Sequence, residues 1–190
     1  ALTPSALSNV QSVWNESLKI KNLNLSTRDY TNIAASLAIK IPNSADQIIE
    51  TQLLKIKGPD NKARFQFIIP ALSSDQYIRD NFFSTLMKAE NRHTEPWVLS
   101  ALRYLHHPLR IDFSEGYLKR SLNVLEDIQI TGDIFFPGRW LNATFKYYQS
   151  DVAIATVNNF LTKNPDYNYQ LKLKILQNSD QMKRANKILK

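Results

Sequence analysis

Three histidines, His93, His106 and His107, are the natural places to look for metal or general-base chemistry in a chain that has no cysteine. His106 and His107 adjoin within a stretch whose periodicity is helical. Neighbours on a helix point about 100° apart, which suits two ligands of one ion poorly. The zinc arrangement His-Glu-x-x-His is absent, and no third ligand stands at a useful spacing. In the last turn of a helix the pair reads more simply as polar groups over the free carbonyls, close to the negative end of the dipole. Glu90 with Glu95, or Glu126 with Asp127, could be imagined as an acid–base pair, but carboxylates flanking helices ordinarily serve as caps or solvated faces. There is no Gly-x-Ser-x-Gly elbow for a nucleophile and no glycine-rich phosphate cradle. Read residue by residue, the chain holds no recognisable catalytic constellation.

A different chemistry gathers between residues 91 and 141. Trp97, Phe135, Phe136 and Trp140 are interleaved there with Asn91, Arg92, Glu95, Arg110, Asp133 and Arg139. Large apolar side chains ordinarily become core, while this many charged and amide groups are hard to place in one. The polar members can bridge helix ends internally, or line a concave surface that receives a peptide or another domain. The sequence leaves both readings open. The second predicts an exposed apolar patch around Trp97 or Phe136.

The elements that would position these residues are helices. Thr3-Pro4 opens the first, with Leu7, Val10, Trp14 and Leu18 on one face to about residue 21. Ser26 with Asp29, Ser44 with Gln47, and Ser73 with Gln76 resemble capping boxes. A helix over 60–69 ends before Pro70, which lacks a backbone donor. Thr94 and Pro96 open the next, and Pro108 closes it. Leu118, Leu122, Leu125 and Ile128 predict one long helix that Gly132 terminates, and Pro137 starts another. Helices over 150–163, 168–178 and 180–189 complete an all-α reading: stacked antiparallel helix pairs, a HEAT-like α-solenoid or superhelical domain, in one domain over 1–190.

Composition agrees. Only four glycines in 190 residues argue against a fold of many tight β-turns, and 43% hydrophobic with 22% charged residues describes a globular chain. No stretch reaches the roughly 20 apolar residues of a membrane span. The net charge of +7 is concentrated near the C-terminus, where Lys172, Lys174, Lys183, Arg184, Lys187 and Lys190 face one acid, Asp180. With no stacking aromatics or nucleic-acid motif beside it, this run reads as a solvated helix face rather than a phosphate-binding one.

The runs RFQFIIPALSSDQYIRDNFF, EPWVLSALRYLHHPLR and TGDIFFPGRWLNATF, and the helix that follows to Phe160-Leu161, resemble the C-terminal helical region of bacterial, Bacteroidetes-type zinc aminopeptidases of the aminopeptidase N-like gluzincin family. The likeness runs from about Gly58 to the C-terminus. It implies a parent enzyme that removes N-terminal residues from peptides with one zinc ion, held by His-Glu-x-x-His in a separate catalytic domain. No catalytic, cofactor-binding or metal-binding residue carries over to this chain. The resemblance implies a domain inactive alone, whose partners are its own catalytic domain and the parent's peptide substrate, and which shapes or gates the peptide cavity. It leans toward an exported parent. A free-standing peptide-binding solenoid, or a HEAT-type nucleic-acid binder, would be the alternatives.

Overall fold

A computed structural model describes residues 3–189. These form twelve α-helices and three short 3-10 turns, with no strand among the described residues. No helix among them is long and apolar enough to cross a membrane. The chain divides into two compact units, Ala1–Ile78 and Arg79–Lys190.

The first unit holds α1 (Pro4–Trp14), α2 (Thr27–Lys40), α3 (Ala45–Lys55) and α4 (Pro59–Leu72). Ser26 and Asp29 form the expected reciprocal cap: Ser26 Oγ accepts the Asp29 N–H at 3.2 Å and Asp29 Oδ2 accepts the Ser26 N–H at 2.9 Å. Ala34, Ala35, Leu37 and Ala38 then bury one side of α2, which packs on α3, and α4 packs on both. The first helix ends at Trp14 rather than near residue 21. Its indole N–H donates to Gln52 Oε1 at 2.7 Å, and the chain turns away through Glu16 at φ 67°. Ser44 makes no side-chain cap, because a 3-10 turn over Pro42–Ser44 leads straight into α3.

Helix α4 runs through Pro70 to Leu72. Phe65, Ile68 and Leu72 lie at i, i+3 and i+7 and are all fully buried. That shared buried face outweighs the one backbone bond a proline forgoes. At the turn before the next helix, Asp75 joins Ser73 in the capping arrangement. Ser73 Oγ accepts the Asp75 N–H at 3.1 Å, and Asp75 Oδ1 accepts the Tyr77 N–H at 2.8 Å, so the turn is built around the aspartate.

Helix α5 (Gln76–Thr85) crosses the boundary into the second unit. There follow α6 (Glu95–Leu105), α7 (Ile111–Ser114), α8 (Tyr117–Asn123), α9 (Leu125–Thr131), α10 (Phe136–Phe145), α11 (Asp151–Lys163) and α12 (Tyr169–Leu189). Helix α10 is central: it packs on α6, α8, α9 and α12, while α11 covers α8 and α12. Phe136, Trp140, Leu141 and Phe145 fill its inner face. Two expectations are corrected here. The single long helix ending at Gly132 is two, α8 and α9, offset at Val124, whose ψ of −2° lies off the helical value. The two C-terminal helices are one: Ser179 is buried, with its hydroxyl satisfied by the Leu176 carbonyl, so nothing interrupts α12.

Candidate functional site

The residues singled out between 91 and 141 separate into core, struts and surface. Phe136 and Trp140, one turn apart on α10, are buried and meet edge to face at 6.1 Å. They belong to the core and not to a surface that receives a ligand, because the helix presents i and i+4 to the same neighbours. Phe135, one residue earlier, is the exposed member; Ile134 next to it and Ile130 five residues before it are exposed too. Trp97 is half-buried.

Arg92 is likewise interior. Its Nη1 donates to the Leu86 carbonyl at 2.9 Å, and its Nη2 reaches the Asp127 carboxylate and Thr131 Oγ1. The guanidinium thus ties the end of α5 to α9, and only its Nε lacks a partner among the described residues. Asn91 is a local strut, donating to the Thr85 carbonyl at 3.0 Å. Arg110 is buried as well. Burial, and then the charge of Arg79, lower its pKa to about 10.

Glu95 makes the link that joins the two ends of the stretch. Its Oε1 accepts the Asp133 N–H at 2.8 Å, fastening the first turn of α6 to the α9–α10 corner. Gly132 permits this approach. A Cβ there would stand 2.5 Å from Phe136 Cδ1 and 3.0 Å from both Glu95 Oε1 and the Ile128 carbonyl. Asp133 in turn accepts the Phe135 N–H at 2.6 Å and stands 3.7 Å from Arg139, whose guanidinium lies 5.5 Å over the Phe135 ring. The corner therefore offers an apolar step on a charged, internally braced base.

The histidines behave differently from their expected role. His106 does not cap carbonyls in water; it is fully buried. Its Nδ1 lies 2.6 Å from Tyr148 Oη, which lies 2.7 Å from Ser114 Oγ, and Ser114 donates to the Arg110 carbonyl at 2.9 Å. The serine proton is spent on that carbonyl, so Tyr148 must donate to Ser114, and His106 must donate from Nδ1 to Tyr148. The direction of the whole chain of bonds follows from its last member. It leaves His106 Nε2 as a bare lone pair with no partner among the described residues. Burial holds the imidazole neutral, with its pKa lowered to about 3, and pushes the Tyr148 phenol up, out of its ordinary range. His107 keeps a local role: its Nδ1 accepts the Leu109 N–H at 3.2 Å.

This network was missed in the sequence, although one signal pointed to it. Leu99, Leu102 and His106 recur at i, i+3 and i+7, which places the imidazole on the inner face of α6. Leu141, Phe145 and Tyr148 recur in the same way at i, i+4 and i+7, but nothing local announces Ser114 or joins the three polar groups. Tyr117, stacked on Phe83 at 4.2 Å and bonded to Asp80, completes the aromatic wall against His106.

No group of three His, Cys, Asp or Glu among the described residues is placed to hold a metal ion. The chain matches no protein-family model, no curated protein and no solved structure.

Proposed function

We propose that this chain is the non-catalytic C-terminal helical domain of a bacterial, aminopeptidase N-like zinc metallopeptidase, and that it packs on the catalytic domain and shapes the peptide-binding cavity. The observation that carries the reading is where the most idiosyncratic runs of the resemblance meet. EPWVLSALRYLHHPLR begins at Glu95, TGDIFFPGRW contains Asp133, and a hydrogen bond from Asp133 N–H to Glu95 closes one onto the other. Glycine at 132 makes that closure sterically possible. Two segments far apart in sequence are thus maintained as one corner.

The outer side of that corner supports an interdomain role. Ile130, Ile134 and Phe135 are 84%, 77% and 63% exposed, while their neighbours Phe136 and Trp140 anchor the backbone beneath. Apolar side chains projecting from a rigid base in this way mark surfaces that bury against another body. In the proposed parent, the zinc ion and the groups that attack the peptide bond belong to the other domain, and this chain contributes no step to the chemistry.

Aminoacyl-chromophore hydrolysis by residues 1–190, with zinc added, tests the reading. The expected result is no turnover above buffer. Activity that copurifies with the chain and tracks its concentration would overturn the non-catalytic assignment.

A further inference from the structure

We propose that the open depression between α6, α10 and α12 binds a side-chain carboxylate of an acidic peptide segment that lies along α12. Arg103 of α6, Gly138, Arg139 and Asn142 of α10, and Gln177 and Asn178 of α12 line about 280 Å³ there. The position follows from the packing of α10 against both other helices. Among the described residues its charged lining groups are two guanidinium ions, the side chain best shaped to bind a carboxylate through two parallel bonds.

One guanidinium is uncommitted and the other is held only weakly. Arg103 is exposed and its side chain makes no hydrogen bond or ion pair with a described residue. Arg139 has a loose 3.7 Å contact with Asp133, in which both side chains are about half exposed, and lies 5.5 Å over the Phe135 ring, so its hydrogen-bonding fork is still open to a ligand. The rest of the lining suits a peptide better than a simple anion. Asn142 and Gln177 are exposed carboxamides, each able to donate and accept, and Asn178 spends its Nδ2 on the Lys174 carbonyl at 2.8 Å while keeping Oδ1 to accept. A phosphate needs donors alone; a carboxylate carried on a backbone needs both. Gly138 leaves open space where a side chain would stand.

The depression does not end at Gln177. The same residue lines a second one, of about 500 Å³, with Gln181, Arg184 and Ile188 further along α12. Gln177 to Ile188 is three turns, roughly 16 Å. Arg184 is already paired with Asp180, so the far end presents chiefly the exposed Ile188. Helix α12 as a whole carries Lys172, Lys174, Lys183, Arg184 and Lys187 against Asp180, a field that draws acidic segments. The occupant that fits is acidic at one end and apolar roughly five extended residues later. This inference is independent of the peptidase reading.

The test is an NMR titration of the isotopically labelled chain with the acetylated, amidated peptide Glu-Glu-Ala-Ala-Leu-Leu, its Gln-Gln twin, and sodium phosphate at matched ionic strength. The acidic peptide is expected to shift the Arg103 Nε–H and the side-chain amides of Asn142 and Gln177. Arg103→Gln and Gly138→Leu, the second filling the floor while keeping both arginines, should each weaken binding at least tenfold, with their helicity checked by circular dichroism. Equal binding of the Gln-Gln twin, the same shifts with phosphate alone, or unchanged affinity in both folded variants would overturn the proposal.

Discussion

His106 Nδ1 lies 2.6 Å from the hydroxyl of Tyr148, 42 residues further along the chain, and both rings are sealed inside the second unit. The bond holds the C-terminal end of α6 to the segment that follows α10. Its direction is fixed from a distance, because Ser114 gives its proton to the Arg110 carbonyl and so accepts from Tyr148. The imidazole therefore keeps a neutral Nδ1–H form, and a proton added at Nε2 would enter a space with no partner among the described residues.

Acid should destabilise the protein through this one ring. The folded pKa of His106 is lowered to about 3, below the ordinary value near 6.5, so the unfolded chain binds a proton that the folded one refuses. The contribution is fully present above pH 6.5 and is lost as pH falls from there toward 3. The expected slope in that window is on the order of 1 kcal/mol per pH unit. Urea midpoints at pH 7 and pH 5, compared between the natural chain and His106→Gln, measure it. The variant's midpoint should change distinctly less with pH.

Removing the middle of the relay should be expensive. Tyr148→Phe leaves a buried Nδ1–H and a buried Ser114 hydroxyl without their shared partner, for a loss of about 1–3 kcal/mol. The expected readout is a lower urea midpoint with an unchanged slope in denaturant. A midpoint equal to that of the natural chain would mean the network contributes nothing net.

Glycine is needed at 132 and dispensable at 138. Gly132→Ala forces a methyl against Phe136 and the Ile128 carbonyl, and Phe136 has no room to retreat in a packed core. A destabilisation of about 1–3 kcal/mol is expected. Gly138→Ala meets no atom within 4 Å and lies inside α10, so it should leave stability unchanged or raise it by up to about 1 kcal/mol. Thermal melts of the two variants side by side decide the matter.

Arg92 should not tolerate lysine. Its fork reaches the Leu86 carbonyl, Asp127 and Thr131 together, which one ammonium on a flexible stem does not reproduce. Arg92→Lys is expected to lose about 1–3 kcal/mol in chemical denaturation, with no gain when salt is lowered, because the arginine side chain is only 2% exposed.

The helical class was legible because caps and periodicity agree locally: Ser26 with Asp29 needs no knowledge of the rest of the fold. The boundaries that escaped were decided by distant partners. Trp14 stops α1 where it meets Gln52, and α4 continues past Pro70 because Leu72 has a buried place to go. The stretch 91–141 is dense in aromatic and charged groups, but the sequence does not sort its residues into core and surface. Phe135 and Phe136 are adjacent and chemically identical, and only the start of α10 makes one exposed and the other core. For Arg92 and Arg110 the sequence leaves internal bridging and a ligand-facing surface equally open, because the carbonyls that receive them lie six residues earlier in loops and helix ends that no local pattern marks.

The most direct measurement compares the full product of the gene with residues 1–190 alone, assaying both for release of N-terminal residues from aminoacyl-chromophore substrates with and without a zinc chelator. The account predicts chelator-sensitive hydrolysis by the full product and none by residues 1–190. A full product that does not hydrolyse these substrates, or residues 1–190 that do, would contradict it.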